Sequence, residues 1–414
     1  MTRSGALGAM RQRAERARLA AHPFVCLVSA RGHLDLGRRS LMAEELSLEW
    51  STPADPIEGA TTIEALRCAA QRAFARGAAG LLVLITHEGA TCFDRIDVHD
   101  DWLGLPRIQL WSAATVERVP GGEAGGLWGE PSSDARLALH SVLDSSDLRD
   151  WHRRSVAAIH DAIASGRLYQ LCLTFPMWLK PPVDPAALFA WLMSRHPVDH
   201  GAWVSLPEFE LLSASPERFL SVNEGVATLR PMKGTRRLDP SRPHESEVAL
   251  RELAASIKDR AENVMITDLA RNDLGRVCVP GSVHVDSLFE VERYASVAQM
   301  TSTVRGRLRD SLDVWDALAA AFPPGSMTGA PKIEACRMIR ELERGPRGLY
   351  GGVLGWIEPD GDAEFSVVIR SLQSRAGRAR WDIGGGIVHD SLADAEWDEA
   401  FAKFEAIRSL IDAS

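Results

Sequence analysis

Helix-like and strand-like stretches alternate along the chain, and that alternation constrains the fold more than any other feature. Phe24–Ala30 reads as a strand, Thr62–Arg76 as an amphipathic helix and Gly80–Ile85 as a buried strand. Asp147 is placed to cap a helix running to Ala164 and ended by Gly166, with a strand over Leu168–Phe175. Glu245–Ala270 has the length and 3.6-residue period of a single long helix. Two more helices are predicted over Pro331–Leu342 and Asp394–Ile411, and strand-like runs at Tyr350–Ile357, Glu364–Leu372 and Arg380–Val388 lie between them. The pattern predicts an α/β or α+β sandwich of considerable size. Gly121–Gly126, followed by Pro131, is loop-like and marks a boundary between residues 1–130 and residues 145–414.

Lysine and arginine number 47 against 56 aspartates and glutamates, so the formal charge is −9. No global basic field exists to hold nucleic acid or an anionic membrane, and an anionic substrate would need local donors. Six scattered cysteines, with no C-x-x-C pair, read as reduced thiols of a cytoplasmic protein, not a disulfide frame or zinc site. No apolar run approaches the roughly 20 residues that span a bilayer. The Arg-rich start (Arg3, Arg11, Arg13, Arg16, Arg18) reads as a frayed tail entering a first strand, in preference to a signal peptide.

Chemistry-bearing residues concentrate in short polar segments of the second half. These are Leu168–Gln170, Ser213–Arg218, Pro231–Arg236, Lys258–Asn263, Arg271–Leu274, Gly325–Lys332, Gly384–Val388 and Glu396–Glu399. Singly, each has an ordinary structural reading. Glu217 and Arg218 could pair on the surface, Gly384–Gly386 could be a tight strand crossing, and Glu396 with Glu399 a solvated helix face.

Together and in this order they resemble the chorismate-utilising enzymes, the family of anthranilate synthase component I, aminodeoxychorismate synthase component I, isochorismate synthase and salicylate synthase. The resemblance implies a large mixed sandwich of antiparallel-rich sheets flanked by helices, into which the weakly matching first 130 residues pack as the variable part. It implies Glu217 as the acid that protonates the departing C4 hydroxyl of chorismate, since hydroxide leaves poorly. Glu262, Glu396 and Glu399 match the positions that bind Mg2+, a hard cation suited to oxygen ligands, which holds one substrate carboxylate. Tyr350, Arg370 and the backbone N–H groups of Gly384, Gly385 and Gly386 match the donors for the other. A buried structural ion pair is the ordinary alternative for Arg370. Gly234, Thr235 and Lys403 match neighbours of the site.

Three positions discriminate within the family. Gln170 stands where isochorismate and salicylate synthases carry a lysine that activates water, and glutamine cannot act as a base, so ammonia is the expected nucleophile. Lys233 stands where anthranilate synthases have alanine and aminodeoxychorismate synthases have lysine. Its neutral amine can attack C2 with loss of the C4 hydroxyl, after which ammonia adds at C4 and expels it. The ordinary alternative is a lysine paired with a neighbouring carboxylate. Gln299 stands where anthranilate synthases have histidine.

The resemblance therefore implies an aminodeoxychorismate synthase component I, making 4-amino-4-deoxychorismate for p-aminobenzoate and folate or a related secondary metabolite. None of the six cysteines lies in a glycine-rich elbow, so ammonia is expected from a separate glutamine amidotransferase subunit, with a pyridoxal-phosphate lyase downstream. The alternatives are an anthranilate or 2-amino-2-deoxyisochorismate synthase, or a silent scaffold for a glutaminase. A scaffold would have no need of Glu217, Lys233, Glu262, Arg370, Glu396 and Glu399. The Gly-rich segments lack P-loop or dinucleotide spacing, which removes a nucleotide-binding reading.

Overall fold

The computed structural model describes residues 3–29, 39–52, 59–93, 104–120, 145–182, 184–207, 209–239, 241–294, 297–408 and 410. The loop-like signals at Gly121–Gly126 and Pro131 lie outside them. Two large sheets, antiparallel in every described pairing, carry the fold. One runs in spatial order Gly329–Ala330, Gln170–Leu179, Arg378–Ile387, Ser371–Arg375, Phe209–Ser215, His200–Leu206, Phe24–Val28, Arg39–Glu44 and Glu117–Pro120. The other runs Met232–Arg237, Val297–Arg307, Val226–Leu229, Arg218–Asn223, Ala363–Val367, Val353–Ile357, Gly80–Ile85, Ile108–Ala113 and Ser47–Ser51, with His284–Arg293 also paired to Val297–Arg307. Strands from the first 120 residues thus extend both sheets.

Strand periodicity explains why these runs are apolar throughout. Along Gly80–Ile85, Leu81, Val83 and Ile85 join a core with the helices Gly59–Ala75, Ile257–Gly275 and Val314–Ala321. Leu82 and Leu84 point the other way, into a cluster shared by the two sheets with Val25, Val204, Leu211 and Trp356. Along Phe24–Val28, Phe24, Cys26 and Val28 likewise face the helices Ser145–Ala164, Pro185–Arg195 and Ala393–Arg408. Successive side chains enter different cores, so neither face can be polar. The result is a four-layer arrangement of helices, sheet, sheet and helices.

Four local expectations are corrected. The Arg-rich start is not a frayed tail but the helix Arg3–Leu19, whose Met10, Ala14 and Ala17 are buried on one face. Its arginines find acids, Arg13 on Glu44 (2.7 Å) and Glu117, and Arg18 on Glu210 (3.2 Å). The single helix Glu245–Ala270 is two, Pro243–Ala255 and Ile257–Gly275, broken where Ser256 turns extended and its side chain caps Asp259 N. Tyr350 precedes its strand, which begins at Val353. The run Glu364–Leu372 is not one strand, because Ala363–Val367 belongs to one sheet and Ser371–Arg375 to the other. The chain crosses between sheets at Arg370, whose φ of 49° lies in the left-handed region that non-glycine residues avoid.

Candidate active site

Lys233 owes its position to a bulge. Met232–Arg237 pairs with Val297–Arg307, and the register slips between Lys233 and Thr235. Gly234 takes the irregularity with φ of 73°, and a Cβ there would lie 2.9 Å from both Asp259 Oδ1 and Leu253 Cδ1. Bulges re-aim side chains. This one turns Lys233 toward the strand Arg378–Ile387, where a Cβ on Gly386 would sit 3.0 Å from Lys233 Nζ and 3.6 Å from the Gln170 amide. Opposite Thr235 on the paired strand is Gln299, whose Nε2 donates to Thr235 Oγ1 at 3.4 Å.

Gln170 is fully buried, yet neither of its amide atoms has a hydrogen-bond partner among the described residues. Gln299 Oε1 is likewise buried without one. A buried unpaired amide costs about 1–3 kcal/mol. Both amides therefore keep unused hydrogen-bonding capacity that a polar ligand could take up.

Glu217 is 6% exposed, at the end of Phe209–Ser215 as the chain passes into Arg218–Asn223. Its backbone is locked by Ser215 Oγ and by Val367 N, which donates to Glu217 O at 3.1 Å. Burial pushes its carboxyl up to about 7, against the pull of the Ser326 hydroxyl, Lys233 and Arg370. A carboxyl titrating there is suited to hold a proton for delivery. The pairing of Glu217 with Arg218 on the surface is corrected: Arg218 is buried and forks onto Glu364 (2.5 and 3.0 Å). Among the described residues Arg370 has no ion-pair partner within 4 Å, and Glu217 is an electrostatic neighbour. Desolvation lowers the Arg370 pKa, while Tyr294 and Glu217 oppose that. Tyr350 is 6% exposed, and burial holds its phenol well above the usual value, so it stays a neutral donor.

The acids gather beside the neighbouring glycine, within electrostatic reach of Lys233. A Cβ on Gly385 would lie 3.6 Å from Glu396 Oε2 and Lys403 Nζ, and 3.9 Å from Glu399 Oε1. Gly384 also meets a packing demand, since a Cβ there would be 2.2 Å from Leu173 O. Glu396 is buried and accepts from Ser391 Oγ (2.6 Å), whereas Glu399 is exposed and pairs with Lys403 (3.0 Å), which lowers its pKa. Lys403 Nζ also donates to Gly384 O at 2.7 Å. Glu262 reaches the group from Ile257–Gly275, and desolvation raises its carboxyl, with Lys233 and Lys258 pulling the other way. Among the described residues no three acids converge closely enough to form a ready-made metal site. The donor set still fits a hard divalent cation: three carboxylates, a glycine backbone without Cβ beside two of them, and lysines now compensating their charge.

Sequence reasoning passed over several supports. The Arg347 guanidinium, 1% exposed, is gripped by Glu343 (2.6 and 2.9 Å) and donates to Met327 O (2.6 Å) and Cys172 O (2.9 Å). Cys172 is the register partner of Gly386, so this network fixes the glycine strand. Glu88, from the first part of the chain, accepts from the N–H groups of Arg347 (2.7 Å) and Gly348 (3.0 Å), just before Tyr350. The only signal in the sequence was a Glu–Arg pair four apart, which resembles a surface helix pair. Asn263, buried beside Glu262, ties its helix to Met300 O and Ser302.

A cleft of about 350 Å³ opens beside Glu217, bounded by Arg230, Ile266, Asp273 and Ser326. A larger cavity of about 680 Å³ lies between the sheets, against Asp199, His200, Trp356 and Glu364, and none of the site residues above lines it.

Residues 112–409 match the family described as chorismate binding enzyme. The aminodeoxychorismate synthase of Streptomyces pristinaespiralis is 43% identical over 253 residues, covering 61% of this chain and 35% of that protein. The aminodeoxychorismate synthase of Streptomyces griseus is 36% identical over 332 residues, 80% of this chain and 45% of that protein. The anthranilate synthase component 1 of Mycobacterium tuberculosis is 34% identical over 345 residues, 81% of this chain and 64% of that protein. The chain therefore spans between about a third and two thirds of the length of these relatives. In fold it is similar to anthranilate synthase component I from Streptococcus pneumoniae, with a TM-score of 0.73 at 23% identity, covering 90% of this chain and 92% of that one. It is also similar to the menaquinone-specific isochorismate synthase from Escherichia coli, with a TM-score of 0.71 at 17% identity, covering 94% and 88%. The match over residues 112–409 identifies this chain as a member of the chorismate binding enzyme family.

Proposed function

We propose that the chain aminates chorismate at C4, giving 4-amino-4-deoxychorismate and water, with ammonia supplied by a glutamine amidotransferase partner. The observation that carries this reading is the bulge that aims Lys233 past Gly386 at Gln170, within the electrostatic reach of Glu217. Arg370, Tyr350 and the glycine N–H groups would hold one substrate carboxylate. Glu262, Glu396 and Glu399 would hold Mg2+, which when bound secures the other carboxylate and offsets charge on the ring. Lys233 bonds to C2 through the lone pair of its amine; the double bond shifts, and the C4 hydroxyl leaves as water with the proton of Glu217. Ammonia then bonds to C4, the double bond shifts back, and the lysine departs from C2 with the electron pair of its C–N bond. Gln170 and Gln299 contribute hydrogen bonds but no base, which suits an enzyme that neither hydrates the ring nor removes pyruvate.

The test is the identity of the product. With chorismate, Mg2+ and ammonium salt, the purified chain is expected to release the 4-aminated compound. Lys233→Ala should shift amination from C4 toward C2, because ammonia or water can then enter where the lysine was. A Lys233→Ala variant that makes only 4-aminated product at near wild-type rate would show the covalent role to be wrong. The anthranilate synthase relative at 34% identity supports a second reading, and a 2-aminated product from the wild-type chain would favour it.

A further inference from the structure

Glu262 and Glu396 stand on different helices, and the ammonium of Lys258 lies between them, 3.9 Å from Glu262 Oε1 and 3.5 Å from Glu396 Oε1. Nothing in helix chemistry calls for a lysine here. Lys258 is in the first turn of Ile257–Gly275, where the helix macrodipole disfavours a cation. A lysine four residues before a glutamate is also the weaker orientation of such a pair. Its side chain is 51% exposed, so it is held loosely with water at hand. Lys403 differs: it is anchored by both Glu399 at 3.0 Å and the carbonyl of Gly384 at 2.7 Å. Lys258 bridges carboxylates of separate helices, and its exposure leaves it room to swing out.

We propose that Lys258 is a resident counter-ion of the acidic group: its ammonium holds Glu262 and Glu396 together while no divalent cation is bound, and a divalent cation must displace it to bind. The proposal rests on the magnesium reading of these carboxylates. It gives the chain a site that does not repel itself when empty, at the expense of divalent affinity. The lysine keeps its proton throughout and turns to solvent, so displacement exchanges one cation for another.

Titration of the chain with Mn2+ alone by calorimetry, with Mg2+ thermal shifts alongside and no chorismate present, tests the idea. Partly exposed ion pairs are each worth less than a tenfold change, so Lys258→Met should bind the cation roughly three- to tenfold more tightly than wild type. It should also melt lower without cation and recover the difference at saturating Mg2+. Lys258→Arg, which keeps the charge, should bind like wild type; Lys258→Gln repeats the neutral substitution if the methionine variant folds poorly. Wild-type or weaker binding by both neutral variants overturns the proposal, as does equal tightening in Lys258→Arg. If neither wild type nor the neutral variants bind Mn2+ at all, the magnesium reading itself fails, and the proposal with it.

Discussion

Replacing Glu217 by glutamine removes a proton and almost no volume, and its two consequences should run in opposite directions. Burial raises this carboxyl from the usual 4.5 to about 7. One pKa unit corresponds to 1.36 kcal/mol, so ionisation of Glu217 costs the folded protein about 3 kcal/mol above neutral pH. The folded-state pKa lies above the unfolded one, so between pH 4.5 and 7 the folded state holds the extra proton. Stability from this group is complete below pH 4.5 and falls as pH rises through 7. Glutamine never ionises. Glu217→Gln is therefore expected to melt several degrees higher than wild type at pH 8, and the two curves should meet near pH 4.5. Catalysis should go the other way, with kcat/KM lower by roughly 10²–10⁴, the usual contribution of a general acid. The wild-type kcat/KM should decline above about pH 7, and the residual activity of the variant should lack that limb. Melting scans and initial rates from pH 4.5 to 9 give both readouts. Equal melting temperatures at pH 8, or activity within tenfold of wild type, would refute the reasoning.

Two further predictions separate packing from chemistry. Gly386→Ala places a methyl 3.0 Å from Lys233 Nζ and should cost activity with little change in melting, whereas Gly384→Ala drives a methyl to 2.2 Å from Leu173 O and should destabilise the fold outright. Arg370→Gly should raise KM for chorismate roughly 10–100-fold by removing a charged donor, yet melt above Arg370→Ala by the left-handed backbone penalty of about 1 kcal/mol, measured by steady-state kinetics and thermal scans.

The sequence was most legible where one residue type has one use. Apolar runs such as Gly80–Ile85 became strands because both of their faces are buried, and the acids of Ala393–Arg408 share a face because they are three residues apart. It was least legible where periodicity continues across a break. Ser256 interrupts a helical pattern whose period is the same on either side, and only its capping of Asp259 N reveals the new start. That break matters to the site, since it sets where the first turn of the second helix, and hence Lys258, begins. The helix Arg3–Leu19 escaped notice because the buried residues among its described side chains, Met10, Ala14 and Ala17, are small or flexible and sparse among arginines. Beyond that one Glu–Arg spacing, the Arg347 network could not be read for another reason: its partners Glu88, Cys172, Met327 and Glu343 come from four separate stretches of the chain.

Local rules and global structure disagree at the site itself. Strand pairing favours an unbroken ladder, yet a bulge stands at Lys233. An apolar run favours one continuous strand, yet at Arg370 the chain takes a left-handed conformation and changes sheet. A buried amide favours a partner, yet among the described residues Gln170 has none. Positive φ at Glu45, Glu224 and Ala376 falls in turns, where it is ordinary, but Arg370 carries it amid apolar sequence with Glu217 as an electrostatic neighbour. Each departure costs on the order of 1–3 kcal/mol. Three of them around one space require compensation elsewhere, and the buried Arg347–Glu343–Glu88 network behind the glycine strand is placed to supply it. On that account Glu88 and the strands of the first 120 residues are part of what holds the site in shape.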